Sequence, residues 1–364
     1  MINIPGNFYC LVIRACDFSE EEKKHLMNIY SQNGKDVMYN LFKKRKILPF
    51  AAKTYSSIGV DTDFWLPILD DYRQRNNKVV EFINAAYTAM KQHGVQKVFL
   101  SENFGALLAA DGDIGLFASG DTDNCYAPEE KEKIYSALTE IGCTCEEVYS
   151  LKRLNGSCWY PNSDFDLPEK FYLGLKPTPL SRLYLPSFVG LEDFDVWEDM
   201  QTYKDTNIQI PNPSALMYVC MLHISLHSFS RSPDIRLYTD LLNMSKTNVD
   251  YGKIISWAKR NNTKVRVSVA STIANDLMKT NIPDEVANLS VGKNRVLRVV
   301  YDANKHDLIY EPHGLDVLKI EVGCDDKGVV HGLFDIAFPD KNWMKATYGS
   351  KGVGAYLKHI KRIL

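Results

Sequence analysis

Apolar residues recur at helical spacing through the first ninety residues. Ser19, followed by Glu20, Glu21 and Glu22, reads as a capped helix start, and Leu26, Ile29 and Tyr30 continue it. Met38, Leu41 and Phe42 repeat the spacing. Over residues 63–93, Leu66, Leu69, Tyr72, Val79, Phe82, Ile83, Ala86, Tyr87 and Met90 predict one or two amphipathic helices, closed by Gly94. The apolar run at 8–13 is short and cut by Arg14, so it reads as a strand or the start of a buried helix rather than a signal peptide.

The texture then changes. Residues 96–100 form a short buried-strand run, and 103–110 a small-residue helix holding Gly105. Asp111, Gly112 and Asp113 break the chain, and Ile114 to Phe117 reads as a turn or short strand. Gly120, Asp121, Thr122 and Asp123 follow, and then Pro128 opens a helix that Gly142 closes. Strands are expected at 148–151 and 171–175, with a loop rich in Pro, Asn and Asp between them. From Ser214 to about Thr280 the spacing is helical again: one helix through Met217, Cys220, Met221 and Ile224, a break at Ser232 and Pro233, then helices at 235–244, 251–260 and 265–278. From Arg295 to Ala337, alternation in the runs at 296–300, 308–310, 317–322 and 332–337, with a turn at Asp325 to Gly328, predicts antiparallel strands. Residues 356–364 read as a basic, docked tail helix. The expected fold class is α+β in four segments: a helical 1–94, a mixed-sheet 95–190, a helical 191–290, and a β-rich 291–364 ending in that helix.

Composition narrows the class. The chain has 364 residues, 45% of them hydrophobic and 24% charged, an ordinary globular balance. The net charge of −2 gives no global pull on nucleic acid or an anionic membrane, so a nucleic-acid partner fits poorly. No apolar run is long enough to span a bilayer. None of the eight cysteines forms a CxxC pair, which points to reduced thiols and a cytoplasmic setting. Cys143 and Cys145 are read as neighbours on one strand face.

The candidate chemistry lies at Asp121 and Asp123. Two aspartates one residue apart on a strand share a face and can hold a hard divalent ion, Mg²⁺ or Mn²⁺, with phosphate oxygens completing its sphere. Gly105 on the preceding helix would let a triphosphate approach the backbone. The same aspartates also fit a turn ahead of Pro128. His223 and His227 share a helix face, either as groove contacts or as hydrogen-bonded core residues. Arg236 and Asp240 are four apart, either an intrahelical ion pair or an arginine presented to phosphate, with Arg231 a weaker candidate of the same kind. Glu102 could stand in for a lost ligand. The basic run at 43–46 reads as a solvated helix end, and Trp257 and Trp343 as packing residues.

The order of these motifs resembles the uncharacterised bacterial nucleotidyltransferases of the DNA polymerase beta-like superfamily. Members have a strand leading to a Lys-Gly-Ala-Ala-Leu-like run, an Arg-x-x-Gly-Asp-x-Asp motif and a helix ending in Leu-Gly-Tyr. This chain has Phe104-Gly105-Ala106-Leu107-Leu108, Phe117-Ala118-Ser119-Gly120-Asp121-Thr122-Asp123 and Leu138-Thr139-Glu140-Ile141-Gly142. The family's His-rich, Arg-x-x-x-Asp-Leu and Trp-containing helices look like His223 to His227, Arg236 to Leu241 and Tyr251 to Ala258, and the chain's end resembles the family's tail. The resemblance implies a metal-dependent transferase that moves a nucleoside monophosphate from an NTP to a peptide, sugar or small metabolite, in peptide maturation or cell-envelope synthesis. Asp121 and Asp123 would bind the metal; Gly105, Ser119, Gly120 and Arg236 would bind the nucleotide; His223, His227 and Asp240 would face the groove.

Departures fall at the chemistry. Phe104 replaces the family lysine, Phe117 the family arginine, and Gly174 the third acid of an Ile-Asp-Leu-His run in which Lys176 replaces the histidine. These replacements keep open an alternative: a catalytically degenerate pseudo-nucleotidyltransferase that binds or scaffolds a precursor peptide or a partner biosynthetic enzyme.

Overall fold

Ser19 caps its helix as the sequence requires. Its hydroxyl accepts from the Glu22 amide at 3.2 Å, and the Glu22 carboxylate accepts from the Ser19 amide at 2.9 Å. The computed structural model describes residues 6–148, 156–168, 170–182, 185–229, 234–303, 315–339, 341, 344, 348 and 350–363. Five helices open the chain: α1 (Gly6–Arg14), α2 (Glu20–Asn33), α3 (Lys35–Lys44), α4 (Leu48–Ser57) and α5 (Thr62–Gln92). The long periodic stretch is thus a single helix of 31 residues. Trp65 anchors its start. The ring stacks on Tyr55 at 5.5 Å, and the indole N–H donates to the Tyr30 hydroxyl at 3.1 Å.

A five-stranded mixed sheet follows, built from β1 (Val98–Leu100), β2 (Asp121–Tyr126), β3 (Thr144–Val148), β4 (Gly156–Tyr160) and β5 (Tyr172–Lys176), in the order β1-β2-β5-β4-β3. β1 runs antiparallel to β2, and β2 parallel to β5. The register pairs Asp121 with Tyr172, Asp123 with Gly174 and Cys125 with Lys176. Because strand side chains alternate, these six residues share one face. On the other face, Asn124 accepts a hydrogen bond from the Tyr87 hydroxyl of α5 at 2.8 Å. Two short helices, α6 (Phe104–Ala109) and α7 (Lys131–Glu140), flank β2 in sequence. β4 lies where a loop was expected, and the strand expected at 148–151 is instead the end of β3, with 149–151 outside the described residues. Two small hairpins, β6 (Leu180–Arg182) with β7 (Leu185–Val189) and β8 (Gln201–Thr202) with β9 (Gln209–Ile210), lead on to the helices.

Helices α8 (Pro213–Leu226), α9 (Tyr238–Met244), α10 (Tyr251–Arg260), α11 (Lys264–Met278) and α12 (Asp284–Ala287) make up the next segment. The C-terminal segment overturns the β reading. Among the described residues of 293–337 lie three helices, α13 (Lys293–Ala303), α14 (Leu315–Gly323) and α15 (Val329–Ala337); α16 (Val353–Ile363) is the tail helix. Val296 and Val300 lie four apart and are both buried, so period four governs a run that also alternates. β-Branched residues cost a helix only tenths of a kcal/mol, so packing decides. Here the buried Arg266 of α11 meets Glu321 of α14 at 3.0 Å. The Asp325–Gly328 turn joins two helices, with Gly328 at φ 109°. The run at 308–310, Arg231, the break at Ser232 and Pro233, and Trp343 lie outside the described residues.

Among the described residues no helix is long and apolar enough to cross a membrane, and none of the eight cysteines is in a disulfide.

Gly105 is where α6 comes closest to the sheet. A Cβ there would sit 2.7 Å from the Leu100 carbonyl oxygen and 3.1 Å from its carbon, both backbone atoms that cannot swing away. Gly105→Ala should therefore lower stability by about 1–3 kcal/mol, read by urea denaturation. An unchanged midpoint would mean that this approach is looser than described.

Candidate functional site

The shared face of β2 and β5 ends in a buried charge cluster. Glu102 follows β1 and is fully buried. Its carboxylate accepts from the Lys176 ammonium at 2.6 and 2.8 Å and meets Nδ1 of His223, on α8, at 2.9 Å. Lys176 also lies 3.8 Å from the Asp123 carboxylate. His223 in turn meets His227, Nε2 to Nε2, at 2.9 Å. The two histidines therefore form one pair at the cluster's edge.

The electrostatics follow from burial and proximity. Burial alone would raise the Glu102 carboxyl, but His223 and Lys176 outweigh it and hold the group well below the usual range. Burial would lower Lys176, and Glu102 and Asp123 reverse that, keeping the ammonium charged. Asp123 is pushed up by burial; Lys176 opposes this, while Glu102 and Asp121 add to the rise. His223 is lowered by burial but raised, on balance, by Glu102.

Asp121 and Asp123 share a face, as expected, but they differ in environment. Asp121 accepts from the Ser119 hydroxyl at 2.5 Å and from the Tyr172 hydroxyl at 2.8 Å. Gly120 is exposed with open space above it, and its carbonyl accepts from the Tyr172 amide. The loop before β2 is tied to α5: Arg75 donates to the carbonyls of Phe117 and Ser119, and Asn76 to those of Ile114 and Phe117. Phe104 and Phe117 are both buried, with ring centroids 4.4 Å apart. Gly105 packs against Leu100, which gives it a structural role apart from any phosphate.

Asp240 and Arg236 lie on the α9 side of the cluster. The Asp240 carboxylate accepts from the Asn103 amide at 2.9 Å. That bond fixes an unusual backbone, since Glu102 and Asn103 hold φ of 27° and 39°. Such conformations cost about 1–3 kcal/mol each and persist only where the surroundings impose them. Burial pushes the Asp240 carboxyl up to about 7.

Glu102, Asp123 and His223 bring one ligand atom each within 4.8 Å of one another, a spacing a metal ion could span. As arranged, they do not fit a divalent ion. The Lys176 ammonium already bridges Glu102 and Asp123, and two hydroxyls already occupy both oxygens of Asp121. The register also puts Gly174 beside Asp123, so the neighbouring strand offers no oxygen there. The cluster is an internally neutralised network.

Of the residues singled out in the sequence, Asp121, Asp123, Ser119, His223, His227 and Asp240 lie in one region, with Gly120 beside Asp121 and Arg236 on the Asp240 side, while Gly105 packs against Leu100. Sequence reasoning missed Tyr172 and Arg75, and it read Lys176 only as a replacement. Their partners lie 40–75 positions away in sequence, so local pattern carried no sign of them. Comparison with known proteins returns no match: no family model fits the chain, and no curated protein or solved structure is detectably similar.

Two outcomes follow. Lys176→Met strands the Glu102 charge in a dry site and should cost about 3–5 kcal/mol in urea denaturation, with part recovered by adding Glu102→Gln. A loss below 1 kcal/mol would mean the pair is solvated. Asp240 carries the opposite sign. An unfolded aspartate titrates near ~3.9, so between about 4 and about 7 the folded state holds the extra proton and stability falls as pH rises. The stability of Asp240→Asn relative to wild type should therefore be greater at pH 8 than at pH 5. A difference that does not change with pH would contradict the burial of this carboxyl.

Proposed function

We propose that this chain is a catalytically degenerate, nucleotidyltransferase-like protein that works by binding, as a docking or scaffold subunit for a peptide or a partner biosynthetic enzyme. The observation that carries this reading is the Lys176 ammonium between Glu102 and Asp123. In the family that the sequence resembles, divalent ions bind at the acids on these strands. Here a cation belonging to the chain itself fills that role, and the third-acid position beside Asp123 is Gly174. The paired rings of Phe104 and Phe117 support the same reading, because both positions would be cationic in a protein that grips polyphosphate.

On this account the aspartates are kept for architecture. Asp121 ties the Ser119 loop to β5 through Tyr172, and Asp123 balances Lys176. The fixed groups then shape a surface without turning over a nucleotide.

The test is calorimetric titration of ATP, GTP, CTP and UTP, with and without Mg²⁺. Wild type should show no metal-dependent binding, and Gly174→Asp/Lys176→His should gain it. A Cβ at 174 would meet Asp123 Oδ1 and the Thr122 carbonyl oxygen at 3.3 Å, so the acid needs only a small adjustment. Micromolar, Mg²⁺-dependent binding by wild type that is lost in Asp121→Asn/Asp123→Asn would overturn the proposal. Metal-dependent nucleotidyl transfer at those aspartates would then be the better reading.

A further inference from the structure

The C-terminal helices carry most of the large apolar side chains that face water. Of fourteen that stand exposed among the described residues, nine lie between 315 and 357. We infer that α15 and α16 form a face that binds the surface of an anionic phospholipid membrane without crossing it. This face is separate from the strand of Asp121 and Asp123, and its lipid binding does not rest on the function proposed above.

Helix geometry sorts the side chains. On α16, Ala355 and His359 face the protein. Ala355 packs with Met344, and His359 Nε2 donates to the Ile336 carbonyl of α15 at 2.6 Å. The Tyr356 hydroxyl donates to the Pro339 carbonyl, just past α15, at 2.9 Å. Val353 and Leu357 each precede an inward residue by two positions, so they fall on the opposite side, and Lys361 continues their stripe one turn on. On α15, Gly332 faces α14: a Cβ there would lie 3.1 Å from the Val322 carbonyl oxygen. Val330 and Phe334, two positions to either side of it, therefore point away. Phe338 stands just past the helix, with its ring centroid 5.0 Å from that of Phe334. Val330, Phe334, Phe338, Val353 and Leu357 are all more than half exposed.

Shape narrows the kind of partner. Val330 and Val353 are 83% and 77% exposed, so they project from the surface rather than line a recess. Projecting apolar side chains suit a bilayer interface, where mobile lipid closes around them and removes them from water.

Charge selects the lipid. Residues 341–364 include five lysines, one arginine and no acid. Lys341, Lys351, Lys358 and Lys361 are exposed. Near α15, the half-buried Asp325 and Asp335 turn to His331, each 3.1 Å from its Nδ1. A second copy seated here would set lysines against lysines. Acidic headgroups match them, and long lysine stems let the ammonium groups reach headgroups while the neighbouring apolar side chains insert. Because the whole chain carries a net charge of −2, the attraction is local to this end and orients the molecule on the surface.

The experiment is flotation of the full chain with vesicles of pure phosphatidylcholine, and with vesicles of three parts phosphatidylcholine to one part phosphatidylglycerol. Wild type should bind the acidic vesicles at least about tenfold more tightly than the neutral ones, and high salt should weaken that binding. Val330→Glu/Phe334→Glu, Leu357→Glu and Lys358→Glu/Lys361→Glu all change exposed residues, so each variant should keep the wild-type Tm and lose most of the binding. Met27→Glu, at an exposed apolar position on α2, and Asp121→Asn/Asp123→Asn should float as wild type does, which keeps this result distinct from the nucleotide test. Failure to bind acidic vesicles, equal binding to both kinds, or undiminished binding by Val330→Glu/Phe334→Glu would overturn the assignment. A stable dimer by light scattering that Val330→Glu/Phe334→Glu dissociates would also overturn it, and would give the face to a second copy.

Discussion

The ion pair between Glu102 and Lys176 is the constraint on which the centre of this molecule depends. A carboxylate with no exposure to water is tolerated only when its charge is matched at contact distance. Lys176 does this from β5, and His223 helps from α8. One buried acid therefore fixes three elements: the turn after β1, the end of β5 and a helix that begins more than a hundred residues later. It also explains the backbone at Glu102 and Asn103. Their positive φ values aim the carboxylate inward and the Asn103 amide toward Asp240.

The rest of the region follows from that arrangement. With Lys176 neutralising Glu102, Asp123 lies beside an ammonium and can share it. Asp121, one pleat further along β2, is left to the hydroxyls of Ser119 and Tyr172. Arg75 and Asn76 of α5 hold the loop's carbonyls from below, and the Phe104 and Phe117 rings fill the space between α6 and that loop. The carboxylates of Glu102, Asp121 and Asp123 are thus already engaged with an ammonium or with hydroxyls of the chain itself.

Much of this was legible in the sequence, and the failures have physical causes. Capping and apolar period pointed to α2, α3 and α5, because Ser19, Glu22 and the α5 stripe are local signals; the run that forms α1 read equally as a strand, and α4 carried no separate expectation. The pair Asp121 and Asp123 read correctly as one face of a strand, since period two needs no distant partner. Residues 293–337 misled because Val, Ile and Leu alternate there while also recurring every four positions. Burial of Val296 and Val300 against other helices decided between the two periods, and that is tertiary information. Lys176 was legible as a residue out of place but not as the partner of Glu102, 74 positions earlier. A buried ion pair leaves no periodicity, so only the folded chain brings its two halves together.

The central claim is that the chain's own ammonium takes the place of a divalent ion, and Mn²⁺ electron paramagnetic resonance tests it most directly. Adding the protein to a fixed Mn²⁺ concentration should leave the free-ion sextet at full amplitude in wild type. Stoichiometric loss of that signal, restored in Asp121→Asn/Asp123→Asn, would contradict the account and return these aspartates to metal chemistry.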